Sequence, residues 1–166
     1  MLLKFLIPGL LLPGIAFAEP NACDLMPKAD VERVTGLTFD DPHLRSEDAC
    51  AGKCESLNGT ACIYQTASEP KARVQIEVLF PPFQPGDWTQ IDRLNAAVDK
   101  NATVTDLPEF GVPTDWVYSY NYGFLHYVDN HRLIMHVWEQ NIGDNATALG
   151  KAKEMAHLIL ERLDAQ

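Results

Sequence analysis

Aromatic, histidine and cysteine side chains are the groups of this 166-residue chain whose spacing could support binding or chemistry. Trp116, Tyr118, Tyr120 and Tyr122 recur at every second position, as side chains on one face of a strand do. Tyr127, Arg132, His136 and Trp138 follow on an expected hairpin. Exposed tyrosine and tryptophan beside Arg132 and His136 would suit a peptide, a glycan or a protein loop. The same rings under a helix would be ordinary cross-strand packing. The histidines are His43, His126, His131, His136 and His157. With Asp129-Asn130 as a two-residue turn, Val128 opposes His131 and Gly123 opposes His136. Alternation then puts His126 with Phe124, Val128, Leu133 and Met135, and His136 with Leu125, Tyr127, Arg132, Ile134 and Trp138 on the other face. On that register the two histidines share no metal, and no cofactor is expected.

Cys50-Ala-Gly-Lys-Cys54 has the CxxxC spacing found in some exported copper carriers. Such sites lead a strand into a helix, and Asp48-Ala49 before the motif with Glu55-Ser56 after it offers no such pattern. The acids Asp40, Asp41, Glu47 and Asp48 do not follow the offsets of a calcium loop and read as a solvated acidic segment. There is no GxSxG, no HExxH and no phosphate-binding loop, so no catalytic residue is nominated. An acid and base brought together only in space would leave no such trace.

The elements that must position these residues follow from periodicity. Residues 27–35 form a short helix with Pro27 at its start and Gly36 as its stop. Residues 37–59 are irregular apart from a short strand at 37–39. Residues 60–66 and 73–80 alternate and are rich in β-branched side chains, which predicts a hairpin with Val74, Ile76 and Val78 inward. Asp87 caps a helix to about residue 99, with Gln90 in capping-box position. Strands follow at 103–107, 116–120, 124–128 and 132–138. A last helix, capped by Asp144 or Asn145, carries Leu149, Ala152, Ala156, Ile159, Leu160 and Leu163 on one stripe. This order predicts a single α+β domain over residues 19–166, an antiparallel sheet of about five to six strands covered on one face by helices.

Residues 1–18 carry one charge, Lys4, an apolar stretch and an Ala-Phe-Ala end, the pattern of a secretory signal peptide. Pro8 and Pro13 interrupt the stretch, which is too short to cross about 30 Å of hydrocarbon. A soluble periplasmic or secreted protein is expected, with no membrane insertion after cleavage. The formal charge of −10 becomes −11 when Lys4 leaves with the leader. That field repels nucleic acid and anionic lipid. Export makes two disulfides the natural use of four cysteines. Three pairings are open. Docking of the first helix on the 60–66 strand favours Cys23 with Cys62, leaving Cys50 with Cys54.

The segment from Cys23 to Glu32, Cys-Asp-Leu-Met-Pro-Lys-Ala-Asp-Val-Glu, followed by Gly36 and by Cys62-Ile63-Tyr64, resembles a group of small exported bacterial domains. That group opens with Cys-x-Leu-Leu-Thr-x-x-Glu-Val and continues to a Cys-x-Tyr or Cys-x-Trp strand. Val104-Thr105-Asp106-Leu107, the aromatic strand near Trp116 and a leucine-rich closing helix are similar too. The chain differs in Met26-Pro27, in the extra Cys50 and Cys54, and in lacking a lipid-anchor cysteine. The resemblance implies an α+β fold and a Cys23–Cys62 bridge, and no enzymatic activity. The function expected is therefore that of a non-enzymatic exported accessory protein with a protein or glycan partner in the cell envelope. An inhibitor or immunity protein against a basic hydrolase would fit the charge. The alternative is a metal-binding or thiol redox protein using Cys50, Cys54 and a histidine.

Overall fold

The computed structural model describes residues 20–45, 58–81, 102–129 and 131–165. The leader, Glu47, Asp48, Cys50, Cys54 and the expected helix at 87–99 lie outside them. Two short helices open the fold: α1 (Ala22–Leu25), capped by the Asn21 side chain, and α2 (Lys28–Thr35), which follows Pro27. Gly36 ends α2 with φ 72°, a left-handed conformation that glycine adopts without penalty, and its N–H donates to Glu32 O.

Seven strands then build one antiparallel sheet. They are β1 (His43–Arg45), β2 (Asn58–Gln65), β3 (Arg73–Phe80), β4 (Thr103–Asp106), β5 (Thr114–Ser119), β6 (Tyr122–Asp129) and β7 (Leu133–Gln140). The order across the sheet is β1-β2-β3-β7-β6-β5-β4. The expected α+β architecture holds, with more strands than the five or six expected, because His43–Arg45 adds an edge strand beside β2. The backbone at 37–39 is not a strand; Phe39 instead inserts its ring against Tyr64 in the core.

Helix α3 (Asn145–Asp164) closes the chain, with the Asp144 carboxylate accepting from Thr147 N at 2.8 Å. It packs on β6 and β7, and α1 packs on β2 and β3, so the helices cover one sheet face. That face presents Cys62, Tyr64, Val74, Ile76, Val78, Trp116, Leu125, Tyr127, Leu133, Met135 and Val137, all buried. The contact stripe of α3 is Ala148, Ala152, Met155, Ala156 and Ile159, rotated from the leucine stripe expected. Alanines four residues apart let the helix approach the sheet closely, and Leu149, Leu160 and Leu163 flank the contact half-buried.

The N-terminal segment is fastened to the sheet by polar contacts as well as packing. Cys23 is disulfide-bonded to Cys62, the pairing expected. Ala22 N donates to Thr60 Oγ1 at 2.8 Å, and the Tyr64 hydroxyl donates to Met26 O. From α3, Arg162 reaches Leu25 O at 2.6 Å and the Asp30 carboxylate.

The hairpin of β6 and β7 departs from the two-residue turn. Asp129 pairs with Leu133, which leaves residues 130–132 as the connection. The Asp129 carboxylate accepts from His131 N at 3.0 Å and its carbonyl from Arg132 N, a side-chain-supported turn that holds the wider loop. Pattern alone does not choose between the two registers, since Leu133, Ile134, Met135 and Val137 are all buried and both faces of the strand are apolar. The shift of one residue in parity reverses which side chains share a face.

Close packing of the helix-covered face sets one prediction. A Cβ on Gly123 would stand 2.1 Å from Cη2 of the buried Trp116, so the indole ring occupies the space a side chain needs. Gly123→Ala is expected to destabilise the fold by about 2–3 kcal/mol, the upper part of the usual range for overpacking. Urea unfolding of the two proteins checks it, and equal midpoints would show that Trp116 yields freely.

Candidate functional site

The sheet face away from the helices gathers the polar and aromatic groups. Antiparallel pairing sets Phe124 opposite Trp138 and His126 opposite His136 on β6 and β7, while Gln75 and Glu77 of β3 lie opposite Trp138 and His136. The expectation that His126 and His136 occupy opposite faces is thus corrected: they are direct cross-strand partners, with ring centroids 5.0 Å apart. The cause is the three-residue connection, which changes the parity of the register.

Each histidine has a carboxylate at Nδ1. Glu77 Oε2 lies 2.9 Å from His136 Nδ1, a hydrogen bond between buried groups. Asp115 Oδ1 lies 3.8 Å from His126 Nδ1, within ion-pair range and beyond a direct hydrogen bond. Burial, with the neighbouring His136 adding to it, pushes the His126 pKa down to about 3, so that ring is neutral near pH 7. Phe124 lies against both rings, at 6.0 Å from His126 and 5.0 Å from His136, and meets Trp138 edge to face at 5.7 Å.

Trp138 and Tyr122 form the outer part of this face, 41% and 47% exposed, and the Tyr122 hydroxyl accepts from Gln140 Nε2 at 3.1 Å. Tyr120, 74% exposed, stands in the adjoining turn with φ 51°. Large exposed aromatic side chains on neighbouring positions are the usual mark of a contact surface, since they are depleted from ordinary protein surface.

The sequence-nominated residues therefore divide between two faces and a turn. Trp116 and Tyr127 lie under the helices: Trp116 Nε1 donates to Asn145 Oδ1 at 2.8 Å, and Tyr127 packs edge to face on Phe110. Tyr118 is half-buried on that same face, its hydroxyl donating to Gly143 O at 3.1 Å. Burial raises the Tyr118 pKa, so the hydroxyl remains a donor. Tyr120 and Tyr122 do not continue the strand of Trp116 as expected, because β5 ends at Ser119 and Tyr122 begins β6. Arg132 pairs with Asp164 at the end of α3 rather than with the aromatic face. His136 and Trp138 share the face away from the described helices, and Tyr127, expected beside them, does not.

Sequence reasoning did not nominate Glu77, Asp115, Phe124 or Glu139. Glu77 of β3 is buried, as are Ala61, Leu79 and Ile134 on the same face of the sheet. Asp41 is exposed and within 3.4 Å of Lys28, and Asp40 is exposed, so the described part of the acidic segment forms no cation cage. No group of three or more histidine, cysteine or carboxylate side chains among the described residues is arranged to hold a metal ion. No helix among them is long and apolar enough to cross a membrane.

Comparison of the chain with protein-family models, with curated proteins and with solved structures finds no match. The functional reading accordingly rests on the chain's own residues.

Proposed function

We propose that this protein is an exported, non-enzymatic binding protein that contacts a protein or glycan partner in the cell envelope through Tyr120, Tyr122 and Trp138. The observation that carries the reading is the exposure of these rings together at one end of the β5–β7 region, with Phe124 as a buried support under Trp138. A rigid ring backed by another makes contact area with little loss of side-chain entropy, the property of interface hot spots. The disulfide supports an oxidising compartment, as does the leader-like sequence of residues 1–18. The excess of acidic residues favours a cationic partner, one version being a basic hydrolase held by an inhibitor or immunity protein.

Tyr122→Ala with Trp138→Ala is expected to weaken partner binding at least a hundredfold, two aromatic anchors being worth about 2 kcal/mol or more each. Thermal unfolding should change little, since both rings are already half in water. Titration calorimetry against the captured partner reads the first effect. Raising the salt concentration should slow association, as exposed charges farther apart than about 8–10 Å become screened. Unchanged affinity in the double variant would place the contact elsewhere.

A further inference from the structure

The sheet ends in two edge strands, β1 and β4. An edge carries backbone groups that the ladder leaves unpaired, and proteins ordinarily blunt it with lysine, proline, a bulge or a covering element. β4 contains no lysine or proline, pairs with β5 in unbroken register, and exposes all four of its side chains, Val104 by 59%. Leu107 N donates to Thr114 O at 2.9 Å. Because bonded positions alternate along an antiparallel pair, Thr105 and Thr103 likewise turn their backbone groups toward β5, and Val104 and Asp106 turn theirs outward. The N–H and carbonyl groups of Val104 and Asp106 have no hydrogen-bond partner on that outer side among the described residues.

The charge along this edge is one-sided. Residues 101–125 include Asp106, Glu109 and Asp115 and no lysine, arginine or histidine. Glu109 is engaged by Lys153 at 2.5 Å, whereas Asp106 is exposed and has no ion-pair partner among the described residues. Thr103 pairs with Tyr118, so the start of β4 lies beside the turn that presents Tyr120. We propose that β4 receives an extended segment of the partner, carrying lysine or arginine, as an added strand of the sheet. The inference rests on the reading of Tyr120, Tyr122 and Trp138 as a partner surface, and it makes the partner a protein, since main-chain hydrogen bonds supply the affinity of strand addition and a glycan has no amide ladder. A second copy of this chain would bring an equally acidic edge against Asp106, whereas basic side chains on the added strand complement it.

The test uses residues 19–166 with the disulfide intact and isotope-labelled, and follows the backbone amides by NMR while an acetylated, amidated hexapeptide of alternating lysine and valine is added at low salt. The amide signals of Val104 and Asp106 are expected to move downfield and to exchange with solvent more slowly, while those of Thr103 and Thr105, already bonded to β5, move less. Val104→Pro should weaken peptide binding about tenfold or more with the fold intact, because an edge position whose N–H faces solvent tolerates proline and the ring removes the outward donor. Val104→Thr keeps that donor and should bind within about twofold of the wild type. A peptide of alternating glutamate and valine should bind about tenfold more weakly or worse. The Tyr122→Ala/Trp138→Ala variant leaves β4 in place and should still take up the basic peptide, which separates failure of the added strand from failure of the aromatic surface. Peptide-induced shifts absent from Val104 and Asp106, or equal binding of the acidic peptide, would overturn the proposal. So would slowed exchange of those two amides that grows with protein concentration in the absence of peptide, which would assign the edge to a second copy.

Discussion

Glu139→Gln is expected to make the protein more stable at pH 8.5 and to flatten the fall of its stability with rising pH. Glu139 lies on β7, on the helix-covered face, only 1% exposed, and neither carboxyl oxygen has a hydrogen-bond partner among the described residues. Burial pushes its pKa up to about 8 from 4.5, with the Lys151 ammonium of α3 acting in the opposite direction. Tyr118 of β5 also faces it, and the carboxylate raises the pKa of that hydroxyl. Between pH 4.5 and about 8 the unfolded chain has lost this proton while the native chain keeps it. The unfolded state therefore binds fewer protons, and stability declines as pH rises, fully present below 4.5 and lost once the folded group ionises. The whole shift is worth at most about 5 kcal/mol, and water entry on ionisation reduces it to about 2–3 kcal/mol. Glutamine keeps the shape and cannot ionise, so the variant should match the wild type within about 1 kcal/mol at pH 4.5 and exceed it at pH 8.5. Urea unfolding at the two pH values checks this. Parallel stability profiles would mean that Glu139 is ionised and compensated in the native protein.

Loss of the Cys23–Cys62 bridge is the second large effect expected. The two residues are 39 apart in sequence, and closing a loop of that length removes about 4 kcal/mol of unfolded-state entropy. Cys23→Ser with Cys62→Ser should therefore lower the unfolding free energy by about 4 kcal/mol, roughly a thousandfold in the ratio of folded to unfolded protein. The bridge also sits where α1 meets β2, beside the contacts of Ala22 with Thr60 and Tyr64 with Met26, so the first helix should loosen before the central strands do. Hydrogen exchange should report faster exchange in α1 and α2 than in β3, β6 and β7. A loss below about 1 kcal/mol would mean that packing of α1 on β2 and β3 suffices without the bond.

Much of the fold was legible because its signals are local. The β2–β3 hairpin follows from alternation, α2 from Pro27 and Gly36, and α3 from the Asp144 cap and a long apolar stripe. Pairing of Cys23 with Cys62 followed from the need of the helix expected at 27–35 to dock on the 60–66 strand, and Cys23 itself lies in α1, a short helix the sequence reading did not expect. The register of β6 on β7 was not legible. Leu133 to Val137 is apolar on both faces, so the one-residue difference between a two- and a three-residue connection rested on Asp129, whose side chain decides it. That single turn separated His126 from His136 in the sequence reading and joins them in the structure. The aromatic row misled for a similar reason: spacing of two predicted one face for Trp116 to Tyr122, whereas the chain turns at Tyr120 and begins a new strand. Burial of Glu77 and Glu139 leaves no sequence mark, since it depends on neighbours from other strands.

The central claim, that Tyr120, Tyr122 and Trp138 are a partner surface, is tested most directly by comparing wild type with Tyr122→Ala/Trp138→Ala in quantitative co-purification from an envelope extract, followed by affinity measurement with the purified partner. The account predicts a basic partner retained by the wild type, released by salt, and bound at least a hundredfold more weakly by the variant with its fold intact. Equal retention of that partner by both proteins would contradict it.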